Sequence, residues 1–145
     1  MEFANPGEVE LKVAARYRVF LILWVAILAS LGFLLALALF LPGSGLPNRT
    51  LSYAFFAISI GLILISLLIR QRQLRLAIEK QRIDLLQGAY VVSFALCEAA
   101  SLFGLLDHFV TGSGNYRFIF GLAFLGMLLH FPKKDHVRAV SYQRF

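Results

Sequence analysis

Apolar positions along this chain fall into four long blocks. Val19 to Leu41 holds 23 residues without a charge, and Leu51 to Ile69 holds 19. Leu85 to Leu106 is broken only by Glu98, and Tyr116 to Phe131 only by Arg117 near its start. About 20 helical residues cross the hydrocarbon core of a bilayer. The fourth block is short, so it is expected to tilt little or to borrow from the loop before it, with Arg117 snorkelling to the interface. Turn-forming stretches separate the blocks: Pro42 to Asn48, Thr111 to Asn115, and Pro132-Lys133-Lys134. The pattern predicts an all-α fold, a membrane-embedded bundle of four transmembrane helices forming a single domain over 1–145. The expected spans are 19–41, 51–69, 85–106 and 116–131.

Composition supports this reading. Of the 145 residues, 59% are hydrophobic and 15% charged, whereas soluble domains carry nearer one quarter charged residues. A short soluble chain has too little interior to hide that much apolar surface. Ala36-Leu37-Ala38 has the look of a signal-peptide cleavage site. The apolar block is longer than a signal core and a long polar segment precedes it, so an uncleaved first helix is expected.

The net charge is +6, and its placement matters more than its size. Basic residues flank the blocks in the order three (Lys12, Arg16, Arg18), one (Arg49), five (Arg70, Arg72, Arg75, Lys80, Arg82), one (Arg117) and four (Lys133, Lys134, Arg138, Arg144). Cytoplasmic loops carry the excess of Lys and Arg. The alternation therefore predicts both termini inside, in the cell inner (cytoplasmic) membrane. No basic stripe interleaves with aromatics, so no nucleic-acid partner is expected. The partners implied are the bilayer itself, anionic headgroups on the cytoplasmic face, and other membrane subunits or further copies of the chain.

The basic linker 70–84 has helical spacing. Leu74, Ala77, Ile78 and Leu85 fall near one stripe, which reads as a continuation of the second span lying against headgroups. Arg70, Arg72, Arg75, Lys80 and Arg82 are the candidates for binding them.

Glu98 is the sharpest chemical feature. It lies near the middle of the third block, where an ionised side chain costs roughly 2.5–3.5 kcal/mol on insertion scales. No Lys or Arg lies at matching depth in the other blocks. Glu98 is therefore expected to be a neutral acid hydrogen-bonded across a helix interface, with Ser30, Ser59, Ser66 or Tyr90 as partner. The alternative is an acid that handles a proton or ion. Ser93, Cys97, Ala100 or Ser101, and Gly104 recur beside it at three- and four-residue steps, a helix-packing face of small residues. Ala57 and Gly61 form a shorter such pair. Cys97 is the single cysteine, which excludes an intrachain disulfide and reads as a packing residue. His108 and His130 fall at opposite ends of their spans and cannot share a metal or haem. No metal or other cofactor is expected. Trp24, Tyr17, Tyr53, Tyr90 and Tyr116 lie near block ends, as interfacial aromatic belts do.

The stretch Ala95-Leu96-Cys97-Glu98-Ala99-Ala100-Ser101-Leu102-Phe103-Gly104-Leu105 resembles the acid-bearing helix of the proteolipid c/K subunits of rotary ATPases. The resemblance implies that Glu98 carries a proton or sodium ion at mid-membrane and that Phe103-Gly104-Leu105 is the aromatic-Gly-Leu step. It covers about a dozen residues of this chain, and the glycine row of the proteolipid's other helix is missing. The whole chain is more similar to small bacterial four-span proteins with an ALCEAxxLFGL-type third helix, a group without an assigned activity. No phosphate loop, GxSxG or HExxH occurs, so no catalytic residue is named and the chain is expected not to be an enzyme. Three functional classes stand: a structural or accessory membrane component, a proton- or ion-handling protein using Glu98, and a membrane enzyme or lipid- or quinone-binding protein.

Overall fold

The structure, a computed structural model, describes residues 6–142; Arg144 of the basic tail lies outside them. The fold is all-α. The helices are α1 (Pro6–Phe40), α2 (Arg49–Lys80), α3 (Ile83–Leu106), α4 (Tyr116–Leu129) and α5 (Lys134–Tyr142). α1, α2 and α3 are each long and apolar enough to cross a membrane, and α4 is a shorter apolar helix of 14 residues. α3 continues into a π-helical turn, Asp107–Thr111.

The helices overrun the apolar blocks. α1 begins well before Val19, and α2 runs on past Ile69 to Lys80. Helix continues there because apolar residues still repeat on one face: Val13 and Ala77 are fully buried, with Val9, Leu74 and Ile78 packed beside them. α2 then ends at Gln81, which takes a left-handed conformation (φ 51°) so that its N–H reaches the carbonyls of Ala77 and Ile78. Here the linker stripe needs correction. Leu85 belongs to α3, across this turn from Leu74 and Ile78, and all three face the protein core, away from headgroups.

The chain folds into alternating up and down helices with two distinct ends. At the loop end, the α1–α2 connection presses on the α3–α4 connection. A Cβ on Gly45 would lie 2.1 Å from the Val110 carbonyl oxygen, so only glycine fits. Gly112, which closes the π turn, has φ 58°, a conformation costly for other residues. At the tail end, the first turns of α1, the α2–α3 turn and α5 come together. Val137 and Val140 of α5 are buried in the same cluster as Val13 and Leu86. Glu10 ties α5 to α1 through Arg138 (2.9 Å) and Lys134 (3.7 Å).

α3 is the central helix. In its apolar window 44% of residues are buried inside the chain, against 11% in α1. α2 and α3 form the most extensive helix pair, followed by α3 and α4. The outward faces carry Val19, Ile22, Val25 and Phe33 of α1, Leu64, Ile65 and Leu68 of α2, and Leu125, Leu128 and Leu129 of α4, all exposed. So large a contiguous apolar surface is incompatible with water and suited to lipid.

Small residues set how closely these helices approach. A Cβ on Gly104 would sit 3.1 Å from Ile119 and 3.2 Å from the Phe120 ring, and one on Gly126 would sit 3.1 Å from the Cys97 sulfur. By contrast, Cβ atoms on Gly61 or Gly121 would meet nothing within 4 Å, and Ala57 is exposed. The Ala57/Gly61 pair therefore faces away from the other helices of the chain. We predict that Gly104→Val lowers stability by about 1–3 kcal/mol through overpacking. Gly61→Ala should leave it within about 1 kcal/mol. Thermal or denaturant unfolding in detergent measures both, and equal losses would remove the assignment of Gly104 to the α3–α4 contact.

Candidate functional site

Polar side chains inside the apolar layer fall into three groups, each set by a different helix pair. The first lies between α2 and α3. Ser59 directs its hydroxyl between Phe55 O (2.8 Å) and Ala100 O (3.3 Å). Ser93 does the same between Ala89 O (2.7 Å) and Ser66 O (3.3 Å). Ser66 donates to Ile63 O (2.7 Å) and lies 3.9 Å from the Cys97 sulfur. All three serines, with Cys97, Ala100 and Ser101, are buried. Each hydroxyl satisfies itself on its own helix and leans toward the neighbouring one, which lets a polar group sit in a layer without water.

The second group is the α1–α3 contact at Glu98. The Ser30 hydroxyl donates to Glu98 Oε1 at 2.6 Å. Of the four partners the sequence offers, this is the one used. Ser59 and Ser66 serve the α2–α3 seam, and Tyr90 is engaged elsewhere. Glu98 is half-buried and turns toward α1 of its own chain. Its backbone carbonyl accepts from Ser101 (2.7 Å).

The third group caps the two ends. At the loop end, Asp107 and Thr111 of the π turn are buried. Thr111 Oγ1 donates to Asp107 Oδ1 (2.8 Å) and accepts from Ser113 N–H (3.2 Å). The chain of bonds continues through Ser52, Ser113 and Asn115, and Asn115 Nδ2 donates to Ser52 Oγ (3.0 Å). Asp107 Oδ2 has no partner among the described residues. The His108 ring donates from Nε2 to Leu41 O (2.8 Å), binding the end of α1.

At the tail end, Arg70 is the organising residue. Its guanidinium donates to Leu129 O (2.5 Å) and Phe131 O (3.3 Å), capping α4, and lies 5.5 Å over the Tyr90 ring. Two of the donors of Arg70, one of the headgroup candidates, are thus turned to carbonyls of the protein. Tyr90 in turn bonds His136 Nδ1 (2.9 Å) and accepts from Lys133 N–H (3.3 Å). Trp24 Nε1–H donates to Met127 O in the last turn of α4 (2.8 Å), so its polar edge ties α1 to α4. His130 is buried, and neither ring nitrogen has a partner among the described residues. Arg82 forms a bidentate pair with Asp84, its neighbour in sequence, which raises its pKa further. Arg72, Arg75 and Lys80 are exposed.

His108 lies at the loop end with Leu41, and His136 at the tail end with Tyr90. Among the described residues no three His, Cys, Asp or Glu side chains are gathered to hold a metal ion. Of these contacts, the Arg70–Tyr90–His136 hub and the fold-back of α5 were not anticipated from sequence. The only signal was Val137 and Val140 spaced three apart in a polar tail.

Long apolar helices with lipid-compatible outer faces and self-satisfied polar seams define a helical, multi-pass membrane protein. Compared with protein-family models, curated proteins and solved structures, the chain matches none of them.

Two predictions follow from these contacts. Interhelical hydrogen bonds in membranes contribute about 0.6 kcal/mol on average and up to about 1.7. A double-mutant cycle of Ser30→Ala and Glu98→Leu should give coupling of that order, read by unfolding in detergent, while Glu98→Gln, which keeps an acceptor, should lose less. Zero coupling would mean the pair does not form. At the tail end, burial lowers the His136 pKa, helped by Arg70 and Lys133 and opposed by Asp135. The docked imidazole is neutral, whereas the undocked ring protonates near pH 6.5. Docking of α5 is therefore fully stable above that pH and weakens as pH falls toward the lower docked value. Amide exchange over 134–142 should lose protection on acidification, and His136→Gln should abolish the trend.

Proposed function

We propose that the chain crosses the bilayer four times and serves as a non-catalytic structural or accessory component that packs against partner helices or further copies of itself. The observation that carries this is the Ser30–Glu98 bond. The one acid at mid-depth turns to a hydroxyl of its own chain, 68 residues away in sequence, at 2.6 Å. A carboxyl held in this way contributes to packing α1 on α3 and has one oxygen, Oε1, committed to its own chain.

Four crossings rest on the course of α4. Its start is bonded to the first turn of α2 through Asn115 and Ser52, and its last carbonyls are bonded to Arg70 at the end of α2's apolar stretch. Its 14 residues rise about 21 Å, and the long Arg70 side chain reaches across part of the difference. The basic residues support an orientation with both ends and the α2–α3 turn in the cytoplasm of a cell with an inner membrane. Residues 6–18, the α2–α3 turn and α5 share one end of the bundle, where most of those residues are.

The second reading, proton or ion handling, draws on the proteolipid-like stretch around Glu98. It requires that carboxyl to face lipid or another protomer during function, whereas the bond to Ser30 holds it against α1.

Impermeant thiol labelling of intact cells tests the threading, with Cys97→Ser as background. Cysteines at Asn48 and Ser113 should label from outside, and cysteines at Gln73 and Ala139 only after lysis. Labelling of position 73 together with position 48 would overturn it. In proteoliposomes, wild type and Glu98→Gln should show the same proton leak. A pH-dependent flux present in wild type and lost in Glu98→Gln would replace the structural reading with the ion-handling one.

A further inference from the structure

The tail end holds a cleft of about 500 Å³ where three elements meet. It is lined by Val9, Lys12 and Arg16 of α1, Gln81 to Asp84 of the α2–α3 turn, and Val140 and Ser141 of α5. Its charge is one-sided. Lys12, Arg16 and Arg82 supply three positive charges and Asp84 one negative, leaving two positive in excess. The Asp84 carboxylate is engaged by Arg82. Lys12 and Arg16 form no ion pair among the described residues; they stand one turn apart on the same face of α1. Glu10 of α1 is already matched by Arg138 and Lys134 of α5.

We infer that this cleft binds a phosphate-bearing anion through Lys12, Arg16 and Arg82, and that the anion is the headgroup of an acidic phospholipid. Depth selects the lipid. Arg16 lies three residues before the apolar block and Lys12 seven, or about 4.5 Å and 10 Å along the helix. The headgroup layer is roughly 5–8 Å thick on each side of the hydrocarbon. Arg16 therefore reaches the phosphate plane and Lys12 stands just above it. Val9, Ile83 and Val140 give the cleft apolar walls, which suit an amphiphile better than a bare ion. The inference moves the headgroup site from the outer face of α2 to the junction of α1, the turn and α5, and it is independent of Glu98.

The test is binding to the full-length protein in detergent, followed by native mass spectrometry or thermal shift, with phosphatidylglycerol, phosphatidylcholine and inorganic phosphate as separate probes. One basic residue near an anionic surface contributes about fivefold in binding. Lys12→Gln/Arg16→Gln should therefore bind phosphatidylglycerol roughly thirtyfold more weakly than wild type. Arg72→Gln/Arg75→Gln, which removes the same charge from the outside of α2, should bind as wild type does. The charge-keeping Lys12→Arg/Arg16→Lys should also retain binding and shows that loss is not misfolding. Inorganic phosphate saturating the protein in a Lys12- and Arg16-dependent way, with no added effect of lipid, supports phosphate recognition with a free anion as its source. Equal loss in the two charge-removing variants, or equal binding of phosphatidylglycerol and phosphatidylcholine, overturns the proposal.

Discussion

Hydrocarbon offers no hydrogen bonds, so every polar group placed in it must find a partner inside the protein. That constraint organises this molecule more than any single contact does. The serines of the α2–α3 seam each bond a carbonyl of their own helix while leaning on the next. Glu98 takes a hydroxyl from α1. The exposed carbonyls at the end of α4 are taken by Arg70. With lipid on the outside, the drive to associate comes from close packing and these bonds, not from expulsion of water. This is why the smallest residues, Gly104, Gly126, Cys97 and Ala100, gather at the centre of the bundle around α3.

The tail end obeys a different rule. Beyond the apolar layer, water is available and the hydrophobic effect returns. There α1, α2 and α3 continue as a small water-facing cap, closed by α5, with Val13, Ala77, Leu86, Val137 and Val140 as its core. Arg70 and Tyr90 stand at the boundary between the two regimes. Arg70 holds α4 from one side and stacks on Tyr90, and Tyr90 holds His136 of α5. The loop end has no such cap. Its two connections are held backbone to backbone, which demands glycine at 45, and by the hydroxyl and amide chain from Asp107 to Ser52.

Function follows from what these arrangements leave open. The serines of the α2–α3 seam are buried, Glu98 is turned to Ser30, and the outer faces of α1, α2 and α4 are apolar. Among the described residues, the apolar outer helix sides and the charged cleft between α1 and the cap are two of the surfaces left open to recognition. Neither is assembled by a single stretch of sequence.

The sequence by itself determined the class of fold and the material of its interior. Apolar blocks partition into lipid whatever their neighbours do, and helix is the form in which a single segment satisfies its own backbone there. The depth of Glu98 follows from the same counting, as does the face carrying Ser93, Cys97, Ala100 and Gly104, because helical period is local. The tertiary structure alone decided the pairings. Ser30 meets Glu98 across 68 residues, Arg70 meets Leu129 across 59, and Tyr90 meets His136 across 46. It also set Arg70 on the carbonyls at the end of α4, divided the 74–85 stripe between two helices, and folded α5 back onto α1. Such choices rest on which distant segment lies within a few ångströms, and periodicity and charge order carry no information about that distance.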